Sequence, residues 1–165
     1  MRILQGKEEE KAFEYLNEAA KIALNATCLR SRCGSVIVKD NRIIGKGFNS
    51  PPADKESQRR CEVDKKELHF KITDKTCCVH AEQRAIMDAL KKHPDEIKGS
   101  RLYFARLKNS QLTRSDNPYC TICSKMALEA GIAEFVLWHE KGVTVYNTEE
   151  YNNLSYLYKE LGQNL

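Results

Sequence analysis

Two short motifs in this 165-residue chain hold the residue types that metal chemistry needs: His80-Ala81-Glu82, and Pro118-Tyr119-Cys120-Thr121-Ile122-Cys123. Each stands where the apolar pattern turns helical. Cysteines at i and i+3 on a first helical turn project to one side. The positive end of a helix dipole favours their thiolate form. Zinc accepts Cys sulfur and His nitrogen in tetrahedral geometry, so Cys120, Cys123 and His80 would leave one position open. Water bound at such a position loses a proton near neutral pH. Glu82, two residues from His80, could receive that proton. Taken alone, Cys-x-x-Cys is equally compatible with redox or structural roles, and His-x-Glu carries almost no information. The pair of motifs, each opening a helix, is far more specific.

Several elements must position these residues. Phe13, Leu16, Ala20, Ala23 and Leu24 recur at helical spacing and predict an amphipathic helix over about 8–26. Cys33–Lys39 and Arg42–Phe48 read as strands joined by Asp40-Asn41, a pair that tolerates positive φ, so a hairpin is expected. A helix follows from Val79 to Leu90, ended by His93-Pro94. A strand is read at 101–107, a polar turn-like stretch at 108–117, and a helix from Cys120 to Ala130 that Gly131 caps. Strands at 133–138 and 143–146 and a last helix over 149–161 complete the order. Strands separated by helices imply parallel crossovers and the hairpin adds antiparallel pairing. The fold class is α/β, with one mixed sheet covered on both faces.

At 41% hydrophobic and 30% charged residues, the chain has material for a core and reads as one domain over 1–165. Residues 49–76 form a long charged connection, and 146–165 a C-terminal helix and tail. The formal charge is 27 − 23 = +4, which suits a phosphate-bearing small molecule as well as RNA. No apolar run is long enough to span a membrane, and the first ten residues turn acidic without an apolar stretch, so neither a membrane segment nor a secretory signal is expected. Seven cysteines cannot all pair internally. Reduced thiols, some of them metal ligands, in a cytoplasmic protein are the expectation.

The combination of His80-Ala81-Glu82 with Pro118-Tyr119-Cys120-Thr121-Ile122-Cys123 resembles the zinc-dependent cytidine/deoxycytidylate deaminase superfamily, over roughly residues 8–140. The resemblance implies a cytidine-deaminase-like three-layer α/β/α sandwich with a five-stranded mixed sheet. It implies Zn2+ held by His80, Cys120 and Cys123, with Glu82 as proton shuttle and C4 of a cytosine as the carbon attacked. Ala81 would let the backbone approach the base, and Asn49, closing the hairpin, would contact the sugar or serve only as a turn residue. Two departures stand out. Tyr119 intervenes between Pro118 and the first cysteine, and Arg84 stands where nucleotide-specific members often have asparagine. Arg84 is a candidate phosphate reader, a surface residue or an ion-pair partner.

The long 49–76 connection resembles that of deoxycytidylate deaminases, some of which hold a second, structural zinc there. Cys61, His69, Cys77 and Cys78 are candidate ligands, free thiols and a surface histidine being the plainer reading. Between Pro51 and Lys75 the connection carries seven Lys/Arg interleaved with six Asp/Glu, whereas a nucleic-acid surface would show a stripe of one sign with aromatics. The expected reaction is hydrolytic deamination of a free cytosine nucleotide, deoxycytidine monophosphate first. An RNA base deaminase, another nucleoside or nucleobase deaminase, and a non-catalytic zinc domain are the alternatives. Superfamily members commonly assemble, so a homo-oligomer is expected.

Overall fold

The computed structural model describes residues 1–158, so residues 159–161 of the expected last helix lie outside the described residues. The chain runs β1 (Arg2–Ile3), α1 (Gly6–Ala23), β2 (Arg32–Lys39), β3 (Arg42–Phe48), α2 (Ala81–Lys92), β4 (Arg101–Lys108), β5 (Gln111–Thr113), α3 (Thr121–Glu129), β6 (Glu134–His139), β7 (Gly142–Asn147) and α4 (Thr148–Tyr156). All five expected strands are present. Among the described residues the sheet holds seven rather than five, because β1 adds to the β7 edge and β5 folds back along the end of β4. The order is β1-β7-β6-β4-β2-β3, and among the described strands only β4 and β6 pair in parallel.

The sheet is covered on both faces, and side chains sort between them with period two. Val36, Tyr103, Ala105, Val136 and Val145 point to α1, which supplies Ala12, Leu16 and Ala19. Ile37, Leu102, Phe104, Phe135 and Tyr146 point to the other face, against Ala85 and Ala89 of α2, Ala127 of α3 and Tyr151 of α4. The β2–β3 turn uses Asp40 (φ 48°) and Asn41 (φ 60°), as the dipeptide predicted.

Two glycines set the seat of α2. A Cβ on Gly47 would stand 2.2 Å from the Ala81 carbonyl oxygen, and one on Gly45 2.4 Å from that of Ala85. Strand β3 and helix α2 therefore touch backbone to backbone, glycine against alanine. The first turn of α2, which carries His80 and Glu82, is pinned to the sheet through this contact.

The connection between β3 and α2 contains two short 3-10 turns, Pro52–Asp54 and Glu56–Gln58, and otherwise irregular backbone. Arg84 fastens its start: the guanidinium donates to the Pro51 carbonyl at 3.0 Å, lies 3.2 Å from the Asp54 carboxylate and sits over the Phe48 ring.

Candidate active site and its metal-ligand groups

His80 and Cys120 are the residues at which α2 and α3 begin. Gln83 Oε1 accepts the His80 backbone N–H at 2.9 Å, and Cys120 Sγ accepts that of Cys123 at 3.3 Å. The caps that start the two helices thus also orient the side chains. His80 Nδ1 lies 3.2 Å from both sulfurs, and the sulfurs are 2.8 Å apart. Among the described residues this group has three donors, His80, Cys120 and Cys123. One imidazole nitrogen and two thiols, with no fourth protein donor, match the set that zinc takes in a site with one position open.

The group is electrostatically polarised. The Cys123 thiol donates to Cys120 and holds its sulfur toward the thiolate, aided by His80, while Cys123 is pushed up in turn. Burial pulls His80 down, but the Cys120 sulfur and the Glu82 carboxylate together outweigh it and raise the imidazole to about 9. Glu82 is 6% exposed. Burial, then the neighbouring Cys120 charge, pushes its carboxyl up to about 7. A buried carboxyl beside a metal-type donor set, titrating near neutrality, is what proton transfer requires.

A cavity of about 570 Å³ opens over this group, lined by His80, Ala81 and Glu82 at its base, with Asn49, Phe104 and Tyr119 around them. Asn49 is largely spent on the fold: its Oδ1 accepts from the Cys33 backbone N–H and its Nδ2 donates to the Ser31 carbonyl, both at 2.8 Å. One amide hydrogen is left to face a ligand. Tyr119, 42% exposed, accepts from Arg106 at 3.1 Å, and Arg106 is in turn paired with Asp116 at 2.6 Å. Arg84 does not line the cavity; its guanidinium is consumed by the Pro51–Asp54 turn. The structure brings in five cations that the sequence reading did not single out: Arg30 and Lys75, and, on and around the β4–β5 hairpin, Arg106, Lys108 and Arg114. The signal available for the last three was Asn109-Ser110, both at positive φ, which closes that hairpin and aims its flanks at the site.

A second cysteine group lines the same cavity. Cys28, Cys61 and Cys78 have sulfurs within 4.8 Å of one another, and Cys77 Sγ lies 3.5 Å from Cys61 Sγ. Cys28 was not among the expected ligands. His69, which was, lies elsewhere: its ring packs on Phe70 at 4.4 Å and Nδ1 accepts the Lys71 N–H. All seven cysteines are free thiols.

A family model described as the cytidine and deoxycytidylate deaminase zinc-binding region matches residues 8–139. Curated relatives include a deoxycytidylate deaminase of Schizosaccharomyces pombe, 26% identical over 83% of this chain and 38% of the relative. Another is a deoxycytidylate deaminase of Mycobacterium phage D29, 27% identical over 74% of this chain and 89% of the relative. The chain spans about two fifths of the length of its yeast relatives. Among solved structures, a dCMP deaminase from the cyanophage S-TIM5 in complex with dCMP and dUMP aligns with a TM-score of 0.55 at 23% identity, over 80% of this chain and 82% of that one. A cytidine deaminase from Burkholderia pseudomallei aligns with a TM-score of 0.55 at 16% identity, over 84% and 94%. These two likenesses establish the fold, and the family match spans both ligand motifs and the long connection between them. The chain belongs to the cytidine and deoxycytidylate deaminase zinc-binding family.

Proposed function

We propose that the chain is a zinc-dependent hydrolytic deaminase of a cytosine nucleotide, converting deoxycytidine monophosphate and water to deoxyuridine monophosphate and ammonia. The observation that carries this reading is the meeting of His80, Cys120 and Cys123 beside the buried Glu82, at the floor of a cavity large enough for a nucleotide. The names of the relatives point to the same substrate. His80, Cys120 and Cys123 hold the ion; when bound, zinc supplies the Lewis acidity that makes water a nucleophile near neutral pH. Glu82 takes a proton from the attacking water, passes it to the ring nitrogen beside C4, and delivers a proton to the departing amine. The water oxygen stays on C4 and the C4–N bond breaks, so ammonia leaves. Ala81 lies against the base, and the spare Asn49 amide hydrogen faces the sugar. Arg84 positions the connection and does not touch substrate.

The second cysteine group takes a structural ion within this reading. Four thiols from three separate stretches of chain, with Arg60 N–H donating to Cys77 Sγ at 2.8 Å, suit a zinc held entirely by cysteine sulfurs. Cytoplasmic placement belongs to the same proposal and rests on the seven free thiols; no described helix is long and apolar enough to cross a membrane. So does assembly into a homo-oligomer, for which the exposed Met87 and Leu90 on α2 offer an apolar face.

The test is ammonia release by zinc-loaded protein on deoxycytidine monophosphate, cytidine monophosphate, cytidine, cytosine, adenosine and a tRNA pool. Turnover of a free cytosine nucleotide is expected. Release from tRNA with silence on every small molecule would replace this reading with RNA editing.

A further inference from the structure

The stretch of chain that delivers Cys120 to its place has little support of its own. Ser115 is tied to the sheet, its N–H donating to the Trp138 carbonyl at 2.8 Å. From Asp116 to Tyr119 the backbone makes no backbone–backbone hydrogen bond among the described residues. The buried Pro118 and the packing of Tyr119 on Tyr158, ring centroids 5.5 Å apart, are apolar supports and fix no direction. The polar support comes from the sheet. Arg106 leaves β4 opposite Cys33 of β2, on the face that carries Phe104. Its side chain is 24% exposed and its Nε is fully covered, so the arm runs through the protein rather than over its surface. One Nη donates to the Asp116 carboxylate at 2.6 Å and the other to the Tyr119 hydroxyl at 3.1 Å. A single guanidinium thus grips both ends of the stretch.

This grip meets a need that the sequence creates. Proline locks its own φ, and here that restraint lies one residue away from the ligand because Tyr119 stands between Pro118 and Cys120. Backbone left free at Tyr119 would have to be ordered by the ion itself, at a cost in binding. A tie on the Tyr119 hydroxyl acts on the residue covalently next to the ligand and orders it beforehand. The planar fork of arginine reaches two acceptors in one fixed geometry, which a lysine ammonium does not. We propose that Arg106 is a positioning residue: through Asp116 and Tyr119 it holds Cys120 where the ion needs it, so that zinc affinity and kcat at the first group depend on it. This rests on His80, Cys120 and Cys123 being the zinc centre of the deaminase. Reading of a substrate anion by Arg106 is less well supported, because its charge is already matched by Asp116.

The experiment measures zinc affinity of the full chain by competition with a chromophoric chelator, together with kcat and KM for deoxycytidine monophosphate. Arg106→Gln should weaken binding of the first ion by roughly tenfold to a hundredfold and lower kcat comparably, with KM little changed. Arg106→Lys, which keeps the charge and loses the fork, should fall nearly as far. Tyr119→Phe and Asp116→Asn each open one tie and should lose less. In the Cys120→Ser background, where the first group no longer holds its ion, Arg106→Gln should leave the remaining zinc affinity unchanged. A lower Tm with zinc affinity and kcat intact would make Arg106 a structural contact and overturn the proposal. A rise in KM alone would make it a substrate reader and overturn it too, as would full rescue by lysine. Should Arg106→Gln fail to fold, Tyr119→Phe, which removes one oxygen from a half-exposed side chain, decides by the same readouts. If no cytosine compound is turned over, the assignment of the reaction fails on its own, and the zinc affinities still decide the role of Arg106.

Discussion

Two groups of metal-type donors stand beside one cavity, and they are built in opposite ways. His80, Cys120 and Cys123 stand at the starts of two helices, whose caps, dipoles and packing fix where the side chains point. Cys28, Cys61, Cys77 and Cys78 stand on irregular backbone, and what gathers them is the folding of a connection with little regular hydrogen bonding. The first group is organised by its elements before any ion arrives. The second has no such scaffold, so the ion proposed there contributes folding energy to its surroundings. On this proposal the same residue type would serve chemistry where helices hold it and would act as a staple where loops do.

The largest effect that separates the groups comes from one serine substitution in each. Cys120→Ser should release the ion of the first group and reduce deamination to background. Cys61→Ser should lose only the second ion, lower Tm by roughly 5–10 °C, and leave substantial turnover of the nucleotide. Metal analysis with activity on both variants checks this. Equal loss of activity and metal in the two would erase the distinction.

A smaller effect should follow from crowding the seat of α2. Gly47→Ala and Gly45→Ala each force a methyl into backbone and should cost about 1–3 kcal/mol. Position 47 meets Ala81, beside the ligand group, while position 45 meets Ala85 a turn further on. Similar losses in Tm with a greater loss of kcat for Gly47→Ala would show that this contact positions the site.

The smallest effect lies away from both groups. His139 Nε2 accepts from the Tyr146 hydroxyl at 2.9 Å, and its Nδ1 lies 3.2 Å from the Ser115 carbonyl. Burial lowers its affinity for a proton. The folded state thus prefers neutral His139, and its contribution is complete above the ordinary value near 6.5 and lost as pH falls below it. Tm should drop by roughly 1–3 °C between pH 7 and 5 relative to His139→Gln. A difference of the other sign would mean that His139 gains a charged partner.

The comparison also marks what could be read in advance. Helical and strand periods located α1, the β2–β3 hairpin, α2, β4, α3, β6 and β7 within a few residues, because each buries one face of its own pattern. β1 and β5, two and three residues long, have no period to show; their ladders are dictated by β7 and β4. The His80 and Cys120–Cys123 motifs were legible because i, i+3 spacing on a helix start already fixes direction. Cys28 was not, since its link to Cys61 depends on tertiary folding, and His69 was a false lead for the same reason. Arg84 looked like a phosphate reader by type, yet helix geometry turns it to Asp54.

The central claim is that Glu82 moves the protons while His80, Cys120 and Cys123 hold the ion. Its most direct test is Glu82→Gln, with zinc content and deoxycytidine monophosphate turnover measured on the same preparation. The account predicts zinc retained in both groups, an unchanged fold, and turnover lower by about two to four orders of magnitude. Turnover near that of the unaltered chain, with zinc in place, would contradict it.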